Sequence, residues 1–194
     1  LNYLWDNIFK RQEREQDIRS VLAQNFLFRS LSKRELSLVQ SLVHIRKYRA
    51  SEDIFKQTEA GVGMYIIVKG RVDISVLDDN LTERDREKEI IVTTLEAGDF
   101  FGELSLVEEV STRSATARSS EDSILIGFFK SDLLEVLARS PEAGIKIVFR
   151  LAEVLGRRLK ETTDRISQLK KEIRLLGELQ EVSRDTRRIA PEKN

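Results

Sequence analysis

The chain has 194 residues, with Lys+Arg and Asp+Glu balanced at 33 each and a single histidine, so no global field draws it to nucleic acid or to a membrane surface. It contains no cysteine, which excludes disulfides and thiolate-held metal clusters. Its length suits one domain with an appendage, and no apolar run approaches the ~18 residues of a membrane span.

Leu1, Leu4, Trp5, Ile8 and Phe9 recur at helical spacing, and Ile18, Val21, Leu22 and Phe26 resume the stripe after a densely charged stretch. Residues 1–24 therefore read as an N-terminal helical segment, packing on its own domain or a dimer mate, or docking another protein. Asp6 interrupts the apolar start and no small-residue cleavage site follows, so a signal peptide is not expected and a cytoplasmic location is. Ser32 with Glu35 three residues later forms a capping box, predicting a helix to about Leu42.

Short strands follow: Val43 to Tyr48, Ile54 to Lys56, Met64 to Val68, and a half-buried run in which Val72, Ile74 and Val76 alternate with polar neighbours. His44 lies in the first of these and reads as an ordinary surface or core residue, not a metal or haem ligand. Asp78 to Glu89 reads as a charged hairpin loop, and Ile90 to Leu95 pairs back. Thr116 stands in a last pair of strands, Ala115 to Arg118 and Ser123 to Phe129. Many short strands broken by glycine predict a sandwich or jelly roll.

The stretch Gly98 to Thr116 is the one built for chemistry. Gly102 lets backbone come close to a ligand, and Glu103 to Val107 can form one short turn whose leading N–H groups suit a phosphate. Arg113 adds a full charge and a bidentate fork. Glu103 should avoid the phosphate and accept from a pair of hydroxyls, as on a ribose. A phosphate and a ribose together imply a nucleotide.

The pattern Gly102-Glu103-Leu104-Ser105, then Arg113-Ser114-Ala115, resembles the phosphate-binding cassette of cyclic nucleotide-binding domains, and its spacing is that of the catabolite activator-like members. The resemblance covers roughly residues 25–166. It implies a mainly β fold with flanking helices: an eight-stranded jelly-roll β-barrel over residues 25–140, then a long C-terminal coiled-coil helix. By alignment on the flanking glycines and Arg113 it also nominates Ile74, Val92 and Thr93 as contacts for the base and ribose.

Ser131 is expected to cap a helix from Asp132 to about Arg139, and Pro141 to open another at its first position. Leu155, Leu159, Thr162, Ile166, Leu169, Ile173 and Leu176 alternate spacings of four and three, a heptad seam. With Ile166 and Ile173 at a and Leu155, Leu169 and Leu176 at d, the seam predicts a parallel homodimer through residues 151–176 of a dimerisation helix spanning 141–180, with a fraying tail at 181–194. The polar Thr162 in that seam needs a partner. Here too the family resemblance speaks: neighbouring hydroxyls reach the purine, one from each subunit, which implies that role for Thr162 and Thr163. The run from Pro141 to these threonines is longer than in those members by about one helical turn.

Residues 157–194 hold eleven Lys+Arg against seven Asp+Glu, too weak a bias for a nucleic-acid footprint, and no recognition-helix unit fits there. No metal cluster or histidine base is at hand to hydrolyse a cyclic phosphate, so the chain is not expected to be an enzyme or to need a cofactor. It reads as a receptor for cAMP, with cGMP kept open by Ser114, that relays binding through its C-terminal helix to an effector protein of unknown identity. The alternatives are a structural dimeric adaptor with a degenerate pocket, and a truncated regulator whose DNA-binding domain lies elsewhere.

Overall fold

In the computed structural model, residues 18–77, 89–109 and 112–189 are described, with side chains to residue 177. The stripe from Leu1 to Phe9, the tip of the charged hairpin at 78–88, and the last residues of the tail lie outside them. The chain divides into two compact units, Leu1–Arg150 and Leu151–Asn194.

The described residues of the first unit form eight strands: β1 (His44–Tyr48), β2 (Asp53–Phe55), β3 (Gly63–Lys69), β4 (Val72–Leu77), β5 (Glu89–Leu95), β6 (Phe100–Phe101), β7 (Thr116–Ser119) and β8 (Ser123–Phe129). They form two four-stranded antiparallel sheets with orders β1-β8-β3-β6 and β2-β7-β4-β5. The expected eight-stranded roll is therefore present, but as two facing open sheets rather than a closed barrel. The strands that would have to bridge the seam are too short for it: β2 has three residues and β6 has two.

Between the sheets lies a core of Tyr65, Ile67, Phe101 and Leu125 from one side, and Val72 and Ala117 from the other, with Phe55, Ile74 and Leu95 packed against it. Strand periodicity turns the alternate residues Met64, Ile66, Ile126 and Phe128 to the opposite face of the first sheet, and all four are fully buried. Phe28, in the turn that follows the helical residues 18–24, covers that face and meets Phe128 edge-on at a centroid separation of 5.4 Å. Burial on both faces explains why β3 and β8 read as nearly continuous apolar runs. The second sheet keeps a polar outer face. Arg118 pairs there with Asp53 at 2.6 Å and Glu89 at 3.2 Å, and Thr94 donates to Asp73. Within β4, Ser75 is buried and donates to Glu89, whereas Val76 is only half-buried, so the simple alternation read there does not hold.

Residues 18–24 are helical, and Leu22 is fully buried. Helix α1 (Lys33–Leu42) begins as its capping box predicts: the Glu35 N–H donates to Ser32 Oγ at 3.3 Å and the Ser32 N–H to Glu35 Oε2 at 2.6 Å. Helix α2 (Lys130–Arg139) begins two residues earlier than expected. Ser131 lies inside it, and the capping acceptor is the Asp132 carboxylate, which takes the Phe129 N–H at 2.8 Å. Helix α3 (Pro141–Ile189) starts on its proline and runs through Gly177 past the boundary expected for the tail. Gly144 lets α3 cross close to α2, because a Cβ there would collide with Leu137.

Glu35 does more than cap. Its two carboxylate oxygens accept from Lys146 Nζ at 2.8 and 2.9 Å, tying α1 to the first turns of α3. The Lys146 hydrogen bond, then the Ser32 N–H, hold the Glu35 carboxyl below its ordinary value of 4.5. A folded pKa below the unfolded one stabilises above about pH 4.5 and ceases to as pH falls through the lower folded value. Lys146→Met should cost about 1–2 kcal/mol at neutral pH, the low end for a charge-assisted bond because the lysine is partly exposed. In urea titrations the gap between wild type and variant should close as pH drops below that window; a gap independent of pH would deny the pair its role.

Candidate ligand-binding site

The site grows from the end of β6. Tyr65 pairs with Phe101, which anchors the chain just before Gly102. Gly102 has φ +77°, the left-handed region, and caps a 3-10 turn at Glu103–Leu106. The turn expected at Glu103 to Val107 is thus present, one residue shorter. A side chain at Gly102 would also be obstructed, since a Cβ would lie 2.6 Å from Arg113 Nη1 and 3.2 Å from the Gly63 carbonyl oxygen. Within the turn Glu103, Ser105 and Leu106 are buried and Leu104 faces outward, 42% exposed.

Arg113 is positioned by a ladder that extends the pairing of β2 with β7. Asp53 stands opposite Arg118 and Phe55 opposite Ala117. Beyond them the Gln57 N–H donates to Thr116 Oγ1 at 3.0 Å. The Thr58 N–H then donates to the Arg113 carbonyl, and the Arg113 N–H to the Glu59 carbonyl, each at 2.8 Å. An isolated bridge from Ala60 to Thr112 completes the run. Thr58 holds φ +72°, a conformation that costs a β-branched residue strain, and both hydrogen bonds to Arg113 flank it.

The Arg113 side chain turns inward and is only 5% exposed. Nη1 donates to Ser105 Oγ at 3.0 Å and more weakly to the Gly102 carbonyl at 3.3 Å. The guanidinium carbon lies 3.9 Å from the Phe55 ring centroid. Nε is buried with no hydrogen-bond partner. Burial pushes the guanidinium below its ordinary pKa, while Tyr65, Glu59 and Glu103 pull it back up. An arginine so placed stays charged at neutral pH. A buried cation with an orphaned donor is the arrangement that an anion would complete.

Gly102, Glu103, Ser105 and Arg113 are thus gathered in one place. Ser114 follows at the surface and Ala115 is half-buried. On the second sheet, Ile74 stands opposite Thr93, and the register shift after Ile74 leaves Val92 as the extra residue of β5. Ile74 packs on the core cluster that includes Phe101, whereas Val92 is 61% exposed. Thr162 and Thr163 belong to the second unit, where each hydroxyl donates to the carbonyl four residues back, Arg158 at 2.8 Å and Leu159 at 2.9 Å. Reading the sequence did not find Phe55, or the bracket that Thr58 and Glu59 place around Arg113. Both depend on pairing between segments far apart in the chain, and an apolar dipeptide in a short strand carries no mark of it.

The site also reaches α2. Lys130 Nζ donates to the Glu108 carbonyl just after the turn, at 2.7 Å, and the Lys130 N–H donates to the Val62 carbonyl at 2.9 Å. Among the described residues no group of three or more His, Cys, Asp or Glu could hold a metal ion, and no helix is long and apolar enough to cross a membrane.

Residues 45–140 match the model of the cyclic nucleotide-binding domain. The chain is similar to the cyclic AMP receptor protein of Thermus thermophilus, 33% identical over 135 residues that make up 70% of this chain and 57% of that protein. The chain spans little more than half the length of the curated relatives it matches. Among solved structures it is similar to the catabolite activator protein of Thermus thermophilus, with TM-score 0.64 and 30% identity over 75% of this chain and 63% of that one. It is also similar to the regulatory domain of Toxoplasma gondii PKA bound to cAMP, with TM-score 0.56 and 27% identity over 64% of this chain and 44% of the other. Through residues 45–140, the chain belongs to the cyclic nucleotide-binding domain family.

Proposed function

We propose that this protein is a cyclic nucleotide receptor that prefers cAMP and passes the bound state through its C-terminal helix to an effector protein. The observation that carries the reading is the buried Arg113 guanidinium, with Nε unpartnered beside the turn that Gly102 opens. The phosphate takes the free edge of Arg113 together with backbone donors of the turn at Glu103–Leu106. Glu103 accepts from the ribose 2′-hydroxyl, Ser114 and Ala115 flank the phosphate, and Ile74, Val92 and Thr93 face the base and ribose. A hydroxyl pair at Thr162 and Thr163 suits the adenine amino group, a part of the proposal that rests on the sequence. The T. thermophilus relative bears the name of a cyclic AMP receptor and the T. gondii neighbour binds cAMP, which favours cAMP over cGMP.

Signalling then requires that ligand favour one arrangement of the helices over another. The Lys130 bond to the Glu108 carbonyl gives the turn a direct grip on α2. The chain binds its ligand as a cytoplasmic receptor, not an enzyme, and the effector is a protein read through the dimer that the seam at residues 151–176 forms.

Calorimetric titration with cAMP and cGMP tests the reading. Arg113→Leu removes one partner of a buried ion pair, worth about 3–5 kcal/mol, so affinity should fall by about 200- to 5000-fold. A loss smaller than tenfold would place the phosphate elsewhere, and a wild type that binds neither nucleotide would leave the adaptor reading in its place.

Glu103 is expected to make 2′-deoxy-cAMP a poorer ligand than cAMP in the wild type, and an equally good one in Glu103→Ala. An equal penalty in both proteins would remove Glu103 from the ribose.

For the dimer, Ile166→Glu sets like charges across the seam and should yield monomers in sedimentation. If the partner's hydroxyl reaches the purine, those monomers lose about 1 kcal/mol, or about fivefold in affinity. A persistent dimer would show that the seam packs otherwise, and monomers of full affinity that each purine is held within one chain.

A further inference from the structure

We infer that Phe55 is the positioning residue of the anion site: its ring fixes the plane of the Arg113 guanidinium and so determines which edge the ligand's phosphate meets. This rests on the reading of Arg113 as the phosphate ligand. Phe55 stands opposite Ala117 in the ladder that goes on to clamp the Arg113 backbone, so ring and arginine are registered by one continuous run of pairing. The ring centroid is 3.9 Å from the guanidinium carbon, close enough for the π-face to cover one face of the ion. Phe55 in turn leans on Phe101, at 5.8 Å between centroids, and Tyr65, at 6.2 Å; those two stack on each other at 5.7 Å. The ring therefore belongs to a rigid aromatic bed that includes the last residue before Gly102.

The consequence is geometric. A guanidinium is planar, and two restraints of different kinds are enough to orient it. Phe55 restrains its face, and Ser105 Oγ with the Gly102 carbonyl restrains the Nη1 corner. The edge left for a bidentate anion is then the one that carries Nε, the donor that is buried and unpartnered. Without the ring, the side chain keeps its charge and its Nη1 bonds but is free to rotate about them. A ring also suits a cation better than an aliphatic side chain of similar bulk, because the π-face offsets lost hydration where leucine or methionine cannot.

The test uses the full chain and two readouts. In the ligand-free protein, the Arg113 side-chain protons should show an upfield ring-current shift by nuclear magnetic resonance. Phe55→Tyr should keep it, and Phe55→Leu and Phe55→Met should abolish it. By calorimetry, Phe55→Tyr should hold cAMP affinity within about twofold, while the two aliphatic variants lose about 3- to 30-fold, the range a cation–π contact spans. Cooperative thermal unfolding identifies the variants that are folded, and Phe55→Met serves if Phe55→Leu is not. The inference is overturned if the folded aliphatic variants keep the shift, or lose it and still bind as wild type does, or if tyrosine fails to rescue. Should the wild type bind no cyclic nucleotide, the receptor reading falls while the resonance comparison alone decides whether Phe55 orients Arg113.

Discussion

The structure depends on keeping one cation out of water. A guanidinium that is 5% exposed has surrendered its hydration, and the fold must return enough interaction to keep it there. Two acceptors at Nη1 and one aromatic face return part of it. Nε is left over. Under the proposed receptor role, that Nε donor is the one an anion would take. If every donor were satisfied within the protein, an anion would have to displace bonds already made, and affinity would fall accordingly.

Such a state can persist only where the surrounding backbone is over-determined. Gly102 must be left-handed and must lack a side chain, because a Cβ would sit 2.6 Å from the arginine. Thr58 accepts a left-handed φ of +72° although its β-branch opposes it, and the two 2.8 Å bonds on either side hold it there. The two-sheet core then fixes both lips of the site. One lip is β6, paired with β3, which is buried on both faces. The other is the ladder between β2 and the run from Thr112 to Arg118. Rigidity at the arginine comes from long-range strand pairing, not from the loop that carries it.

This division explains what the sequence revealed. That Gly102, Glu103 and Arg113 meet around one turn was legible, because their spacing is set by local chain geometry. The strands β3 and β8 were legible because burial on both faces leaves an apolar run. The start of α1 was legible because a capping box is a local contract between Ser32 and Glu35. Phe55 was not, since its meaning lies in what stands across the sheet. Nor was the start of α2, where Ser131 is a favourable cap by type but Asp132 reaches back to the Phe129 N–H and moves the boundary. Closure of the roll depends on how far β2 and β6 extend, and strand ends are set by tertiary pairing. The Glu35 bond to Lys146 spans 111 positions, beyond any local signal.

The second unit poses the complementary problem. Leu151 and Val154, at its start, are buried, whereas the heptad positions from Leu159 onward are exposed. Leu159, Ile173 and Leu176 are 70%, 68% and 61% exposed, and Ile166 and Leu169 are also open to solvent. A helix in water draws little stability from propensity alone, and Gly177 withdraws about 1 kcal/mol of it. Apolar side chains at heptad positions gain only when a second helix buries them, at about 25 cal/mol for each Å² removed from water. The threonine hydroxyls meanwhile satisfy themselves on their own backbone, at Arg158 and Leu159, so they are protected without being committed. A bond of that kind is exchanged at little cost for one to a ligand, because the helix carbonyl keeps its own N–H donor four residues on. Under the proposed dimer, both units thus stand in the same condition. Each offers a group to a partner outside the chain, and one continuous helix, Pro141–Ile189, runs from the first unit into the second.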